Sequence, residues 1–143
     1  MSSATKPRRG EQVVNADHAR PALRWHAAWR AAGWVLLIAV VVASLLPLRQ
    51  RAGLAGLDKL EHFIGYALLM FWFAALHAPK RRPWIALAFV ALGAALEFAQ
   101  GVTGWRHADP LDLVANMLGV AGGWLAAQLS GVALFLYVER AAR

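Results

Sequence analysis

The chain has 143 residues, a net charge of +7, and 59% hydrophobic against 16% charged residues. Soluble domains hold roughly 45–50% apolar and about 25% charged residues. Here the apolar excess is gathered into long runs, so an ordinary soluble domain is excluded and a membrane protein is predicted, while the lack of cysteine excludes disulfides, thiolate metal sites and cysteine nucleophiles.

Residues 1–30 form a basic tail, polar to about Asp17 and expected to lack a packed core. Its last stretch, Arg24-Trp25-His26-Ala27-Ala28-Trp29-Arg30, alternates cations with tryptophans that suit headgroup depth. A first span is expected over 31–48. It is read as a retained helix, because Pro47-Leu48-Arg49-Gln50-Arg51 follows it instead of a small-residue cleavage pattern. Further spans are expected over 60–78, 84–100 and 110–130 or longer, the fourth having room to tilt or to break at Ser130-Gly131. Residues 139–143 complete the chain as a polar C-terminus. The expected architecture is all-α: a polytopic protein with four transmembrane helices in one bundle.

The basic residues set an orientation. Lys6, Arg8, Arg9, Arg20, Arg24, Arg30, Lys80, Arg81, Arg82, Arg140 and Arg143 fall on one side of the predicted spans. Only Arg49, Arg51, Lys59 and Arg106 fall on the other. The positive-inside rule therefore places both termini in the cytoplasm. It also accounts for the net charge without a nucleic-acid partner. Asp58, Glu61, Glu97, Asp109 and Asp112 sort toward the outer side, which that rule does not explain.

Span two opens Asp58-Lys59-Leu60-Glu61-His62, with Tyr66 one turn on. Asp58, His62 and Tyr66 share a helix face at i, i+4 and i+8. Asp58 and Glu61 also have capping-box spacing, so a purely structural role is open for both. Glu97 lies near the far end of span three, with Gln100 three residues on. An ionised group within a span costs about 2.5–3.5 kcal/mol on insertion scales. Glu97 is thus expected to face other helices or a polar pocket, the alternative being a short reach to the interface. Asp109-Pro110 has the pattern of an N-cap followed by proline at the first helical position. Asp112, Asn116, Gly119 and Gly123 then form one stripe, polar outside and small within. Gly119 and Gly123 suit close helix packing, and Asn116 suits either a polar bond across that contact or a site. Arg106 is the natural counter-charge for this group.

In order, Asp58-Lys59-Leu60-x-His62-Phe63-x-x-Tyr66, Glu97-x-x-Gln100, Arg106, and Asp112-x-x-x-Asn116-x-x-Gly119 resemble the VanZ-like membrane proteins. The matched region runs from about Asp58 to Gly123. Gly104-Trp105-Arg106 departs slightly, since the family often has Gly directly before Arg. The resemblance implies a small bacterial inner-membrane protein with a role in the cell envelope. The family is named for a protein linked to teicoplanin resistance, and the likeness assigns no reaction.

Three functions stay open on the residues. An extracytoplasmic pocket of Asp58, Lys59, His62, Tyr66, Glu97, Gln100, Arg106, Asp112 and Asn116 would bind a lipid-linked or anionic envelope molecule. Glu97, Asp112 and His62 could instead do acid/base chemistry on a lipid headgroup. The same residues could simply tie the helices together as a structural or adaptor protein. A carboxylate–histidine group could also hold a divalent metal, but no His-Glu-x-x-His or comparable ligand spacing occurs, so neither metal nor cofactor is expected.

Overall fold

The computed structural model describes residues 23–46, 56–103 and 109–142. Five helices follow in order: α1 His26–Leu45, α2 Leu57–Leu76, α3 Arg82–Thr103, α4 Pro110–Leu129 and α5 Gly131–Ala141. A 3-10 turn at Pro79–Arg81 joins α2 to α3. The described residues contain no strand. Helices α1 to α4 are long and apolar enough to cross a membrane.

Local chemistry sets the helix ends. Helix α2 begins after Gly56, whose φ of 105° is the left-handed conformation glycine adopts without steric cost. Asp58 therefore sits inside the first turn, not at the cap, and the capping-box expectation for Asp58 and Glu61 fails. Asp58 bonds Lys59 instead, while Glu61 is exposed. At α4 the expectation holds: the Asp109 side chain accepts from the Leu111 N–H at 2.9 Å, with Pro110 just inside the helix. The long apolar run that follows breaks at Ser130, which closes α4 and opens α5. Helix α1 begins at His26, so most of the Trp-rich segment is already helical.

Helix α2 is central and packs against α1, α3, α4 and α5. Its tightest neighbour is α4. A Cβ on Gly119 would fall on the Phe63 carbonyl oxygen, and one on Gly123 on the Ala67 carbonyl oxygen. Hydrogen at these two positions is what lets the backbones meet. In lipid, where no hydrophobic drive pulls helices together, such close packing carries much of the association. Tyr66, Leu69, Met70, Ala74, Phe89 and Val120 form the interior.

The surface inverts the pattern of a soluble protein. Trp34, Ile38, Trp84, Leu87, Phe98, Leu118 and Leu125 all point outward. Arg82, Glu97, Gln100, Asp112, Asn116 and Glu139 are buried. That distribution suits a hydrocarbon surround, where an apolar exterior is solvated and polar groups must find partners within. Arg82 shows the rule at one end of the molecule: its Nε donates to the Ala74 carbonyl at 3.1 Å, in the last turn of α2.

The two ends of the described chain also meet. Glu139 on α5 accepts from the Arg24 and Trp25 backbone N–H groups and from Trp29 Nε1, each at 3.0 Å. Trp29 lies against Phe135, with ring centroids 4.8 Å apart, and Trp72 Nε1 donates to the Trp29 carbonyl at 2.9 Å. Burial works against the charge on Glu139, but the three N–H donors outweigh it and hold the carboxyl below its usual range.

Candidate functional site

Three helix segments bring carboxylates, a lysine and a histidine to one place: the first turns of α2, the last turns of α3 and the first turns of α4. Lys59 is the electrostatic centre of the outermost part. Its Nζ lies 2.6 Å from Asp109, 3.0 Å from Asp112 and 3.3 Å from Asp58. The Lys59 hydrogen bond holds the Asp109 carboxyl below the ordinary carboxylate range, helped by the Leu111 N–H. Lys59 was expected to meet an anionic ligand, and here it already serves three aspartates.

One turn deeper, His62 stands between two residues of α4. Its Nδ1 is 3.1 Å from Asn116 Oδ1 and its Nε2 is 3.6 Å from Asp112 Oδ2. Asn116 Oδ1 is a carbonyl oxygen and can only accept, so Nδ1 carries the proton and donates to it. In the neutral ring Nε2 is then a bare lone pair facing a carboxylate. Asp112 divides its oxygens, Oδ1 to Lys59 and Oδ2 toward His62. Asn116 is 1% exposed and Asp112 4%, so neither can turn to solvent.

Glu97 completes the inner group from α3. It is 8% exposed, and ligand atoms of His62, Glu97 and Asp112 all lie within 4.8 Å of one another. Tyr66 closes the floor. It is 1% exposed, and its hydroxyl has no hydrogen-bond partner among the described residues. Gly93, one turn before Glu97, leaves the space these groups share. A Cβ there would come within 2.9 Å of Asn116 Nδ2 and 3.3 Å of Tyr66 Oη.

The structure thus brings Asp58, Lys59, His62, Tyr66, Glu97, Asp112 and Asn116 together. Gln100 is buried but engaged elsewhere: its Nε2 donates to the Ser44 carbonyl at 2.6 Å and ties the end of α3 to the end of α1. It therefore acts as a strut and not as part of the inner group. Arg106 lies outside the described residues. Asp109, read from sequence as a cap alone, is also a partner of Lys59. Charge complementarity with Lys59 was the available signal for this second role, since its i+3 neighbour Asp112 was already placed near the same outer face. For Glu139 the sequence held no signal, because its partners lie more than a hundred residues upstream.

Chemically, the inner group offers one imidazole with an open nitrogen, two carboxylates, an amide that fixes the ring and a buried phenol. These are groups that hold, orient or exchange protons with a polar ligand. Compared with family models, curated proteins and solved structures, the chain matches none of them.

Proposed function

We propose that the chain is a four-span protein of the bacterial inner membrane, a single helix bundle with both termini in the cytoplasm. Its polar cluster faces outward and binds the headgroup of a lipid-linked or otherwise anionic cell-envelope molecule. The observation that carries this reading is the convergence of Lys59, His62, Glu97, Asp112 and Asn116 from three separate helices, with Glu97, Asp112 and Asn116 buried. Burying so many ionisable groups at membrane depth is costly, and helix association alone needs far fewer. The likeness of Asp58 through Gly119 to the VanZ-like proteins supports an envelope role, and the positive-inside count supports the orientation.

One observation favours a second reading, in which the site also turns over its ligand. Asn116 orients the His62 ring and leaves Nε2 facing Asp112. That is the posture of a positioned general base. Native mass spectrometry of gently extracted protein separates the two. Under the binding reading a lipid of unchanged mass is retained and is lost in Arg106→Ala. A chemically altered lipid would favour turnover. No retained lipid from the wild-type chain would overturn both.

A further inference from the structure

We propose that His62, Glu97 and Asp112 form a site for one divalent cation of the Mn2+ or Zn2+ class. The cation bridges this acidic pocket to an anionic headgroup oxygen. The second half of the statement rests on the headgroup reading above; the first half does not.

The donor set is the first ground. One imidazole nitrogen and carboxylate oxygens from two residues suit Mn2+ or Zn2+ better than a purely oxygen-loving ion. Each donor comes from a different helix, so the cluster is already assembled in three dimensions. Their atoms lie within 4.8 Å of one another, and the His62 Nε2 to Asp112 Oδ2 separation is 3.6 Å. Two donors on one zinc ion, each about 2.0–2.2 Å away, stand about 3.4–3.6 Å apart. The His62–Asp112 pair has that spacing. It is too long for a good hydrogen bond.

The tautomer is the second ground. Metal-bound histidines donate their other ring N–H to a carbonyl or carboxylate, which fixes the ring and aims the free nitrogen. Asn116 Oδ1 does this for His62 Nδ1. In the neutral ring the other nitrogen is then a lone pair facing a carboxylate at 3.6 Å, an arrangement that a shared cation bridges.

Tyr66 is the third ground and is independent of the donors. The residue is 1% exposed, and its buried hydroxyl has no partner among the described residues and borders the same small space beside Gly93. A buried hydroxyl left without a partner is costly. Water or a headgroup oxygen bound to the cation would supply the missing acceptor. The other carboxylate group, Asp58, Asp109 and Asp112, shares Asp112 but already holds the Lys59 ammonium at its centre.

One divalent ion on the inner carboxylates gives the headgroup oxygen a positive partner that Lys59, already shared three ways, does not.

The test uses full-length protein in detergent, stripped with chelator and titrated with Mn2+ or Zn2+. Mn2+ electron paramagnetic resonance is expected to show one bound ion per chain. Its electron spin echo modulation is expected to carry coupling to one directly bound imidazole nitrogen. That signature is read on the wild-type chain and depends on no variant folding. Coupling is lost in His62→Ala, and binding is lost in Glu97→Gln and Asp112→Asn, each checked for a monodisperse, helical sample. Asn116→Ala, which removes a positioning residue, weakens binding about 10–100-fold. Glu61→Gln, at an exposed carboxylate outside the pocket, leaves the affinity unchanged. Absence of stoichiometric Mn2+ and Zn2+ binding, Mn2+ binding without nitrogen coupling, or nitrogen coupling that persists in His62→Ala would each overturn the site. Mn2+ binding with nitrogen coupling in protein that retains no lipid upholds the site and removes the headgroup reading. Lipid retention that persists unchanged after chelation removes the bridging role and leaves the headgroup reading in place.

Discussion

Replacing Gly123 with alanine places a methyl group on the Ala67 carbonyl oxygen of the facing helix, with the Ala67 C and Cα atoms each 3.0 Å away. Nothing at that spot is a flexible side chain that could move aside, so α2 and α4 must separate by about 1 Å. A gap of 0.5–1 Å forfeits roughly a quarter to a half of each atom pair's dispersion energy, itself about 0.1–0.2 kcal/mol. This is the most extensive helix contact among the described residues. Overpacking of this kind costs about 1–3 kcal/mol, and contact with backbone argues for the upper end. Alanine returns up to about 1 kcal/mol of helix propensity. The net expectation for Gly123→Ala is destabilisation by about 2 kcal/mol. Gly122 is the internal control. A Cβ there meets only the Phe63 ring, at 3.6 and 3.8 Å, which is ordinary contact. Gly122→Ala should be neutral or slightly stabilising. Unfolding in mixed micelles by increasing sodium dodecyl sulfate, followed by tryptophan fluorescence and far-UV circular dichroism, measures both. Equal stability of the two variants would refute the close-approach reasoning.

Four further outcomes are expected. Asn116→Ala removes the acceptor of His62 Nδ1 and should lose about 1–3 kcal/mol in the same assay. Tyr66→Phe deletes a hydroxyl that has no partner among the described residues, so metal-free protein should be unchanged or gain up to about 1 kcal/mol. Lys59→Met strips Asp58, Asp109 and Asp112 of their shared cation and should lower the melting temperature more than Lys59→Arg, which keeps the charge. The Glu139 clasp predicts a pH dependence. Its folded carboxyl is held below the ordinary value of 4.5, so its stabilisation is fully present above that value and is lost as pH falls through the lower, folded one. The melting-temperature difference between wild type and Glu139→Gln should therefore be constant near neutral pH and shrink below about 4.5. A difference that does not change with pH would remove the charged carboxylate from the account.

The spans were legible because twenty-residue apolar runs leave little choice in a membrane. Their ends were less so. Asp58 has the composition of a cap, yet Gly56 took the cap because only glycine adopts its backbone angle cheaply. The stripe from Asp112 to Gly123 was readable from helical spacing, since Asp112, Asn116, Gly119 and Gly123 all turn inward and are buried. Which partner each polar residue would choose was not readable. Gln100 is one turn from Glu97 but bonds a carbonyl of α1, and Lys59 collects three aspartates from two helices. Spacing along one helix fixes the face a residue shares; the rotation and depth of the neighbouring helix fix the contact. The His62, Glu97 and Asp112 grouping escaped any ligand-spacing pattern for the same reason, as each residue sits on a different helix.

The outward placement of the polar cluster is tested most directly by labelling single cysteines in intact cells, a clean measurement because the chain has no cysteine of its own. Thr103 lies exposed at the end of α3 near the cluster, and Lys80 lies exposed in the turn at its opposite end. The proposed orientation, with both termini in the cytoplasm, predicts that Thr103→Cys reacts with a membrane-impermeant maleimide added outside and that Lys80→Cys reacts only after the cells are opened. Labelling of Lys80→Cys from outside, with Thr103→Cys protected, would turn the pocket toward the cytoplasm and contradict an extracytoplasmic headgroup site.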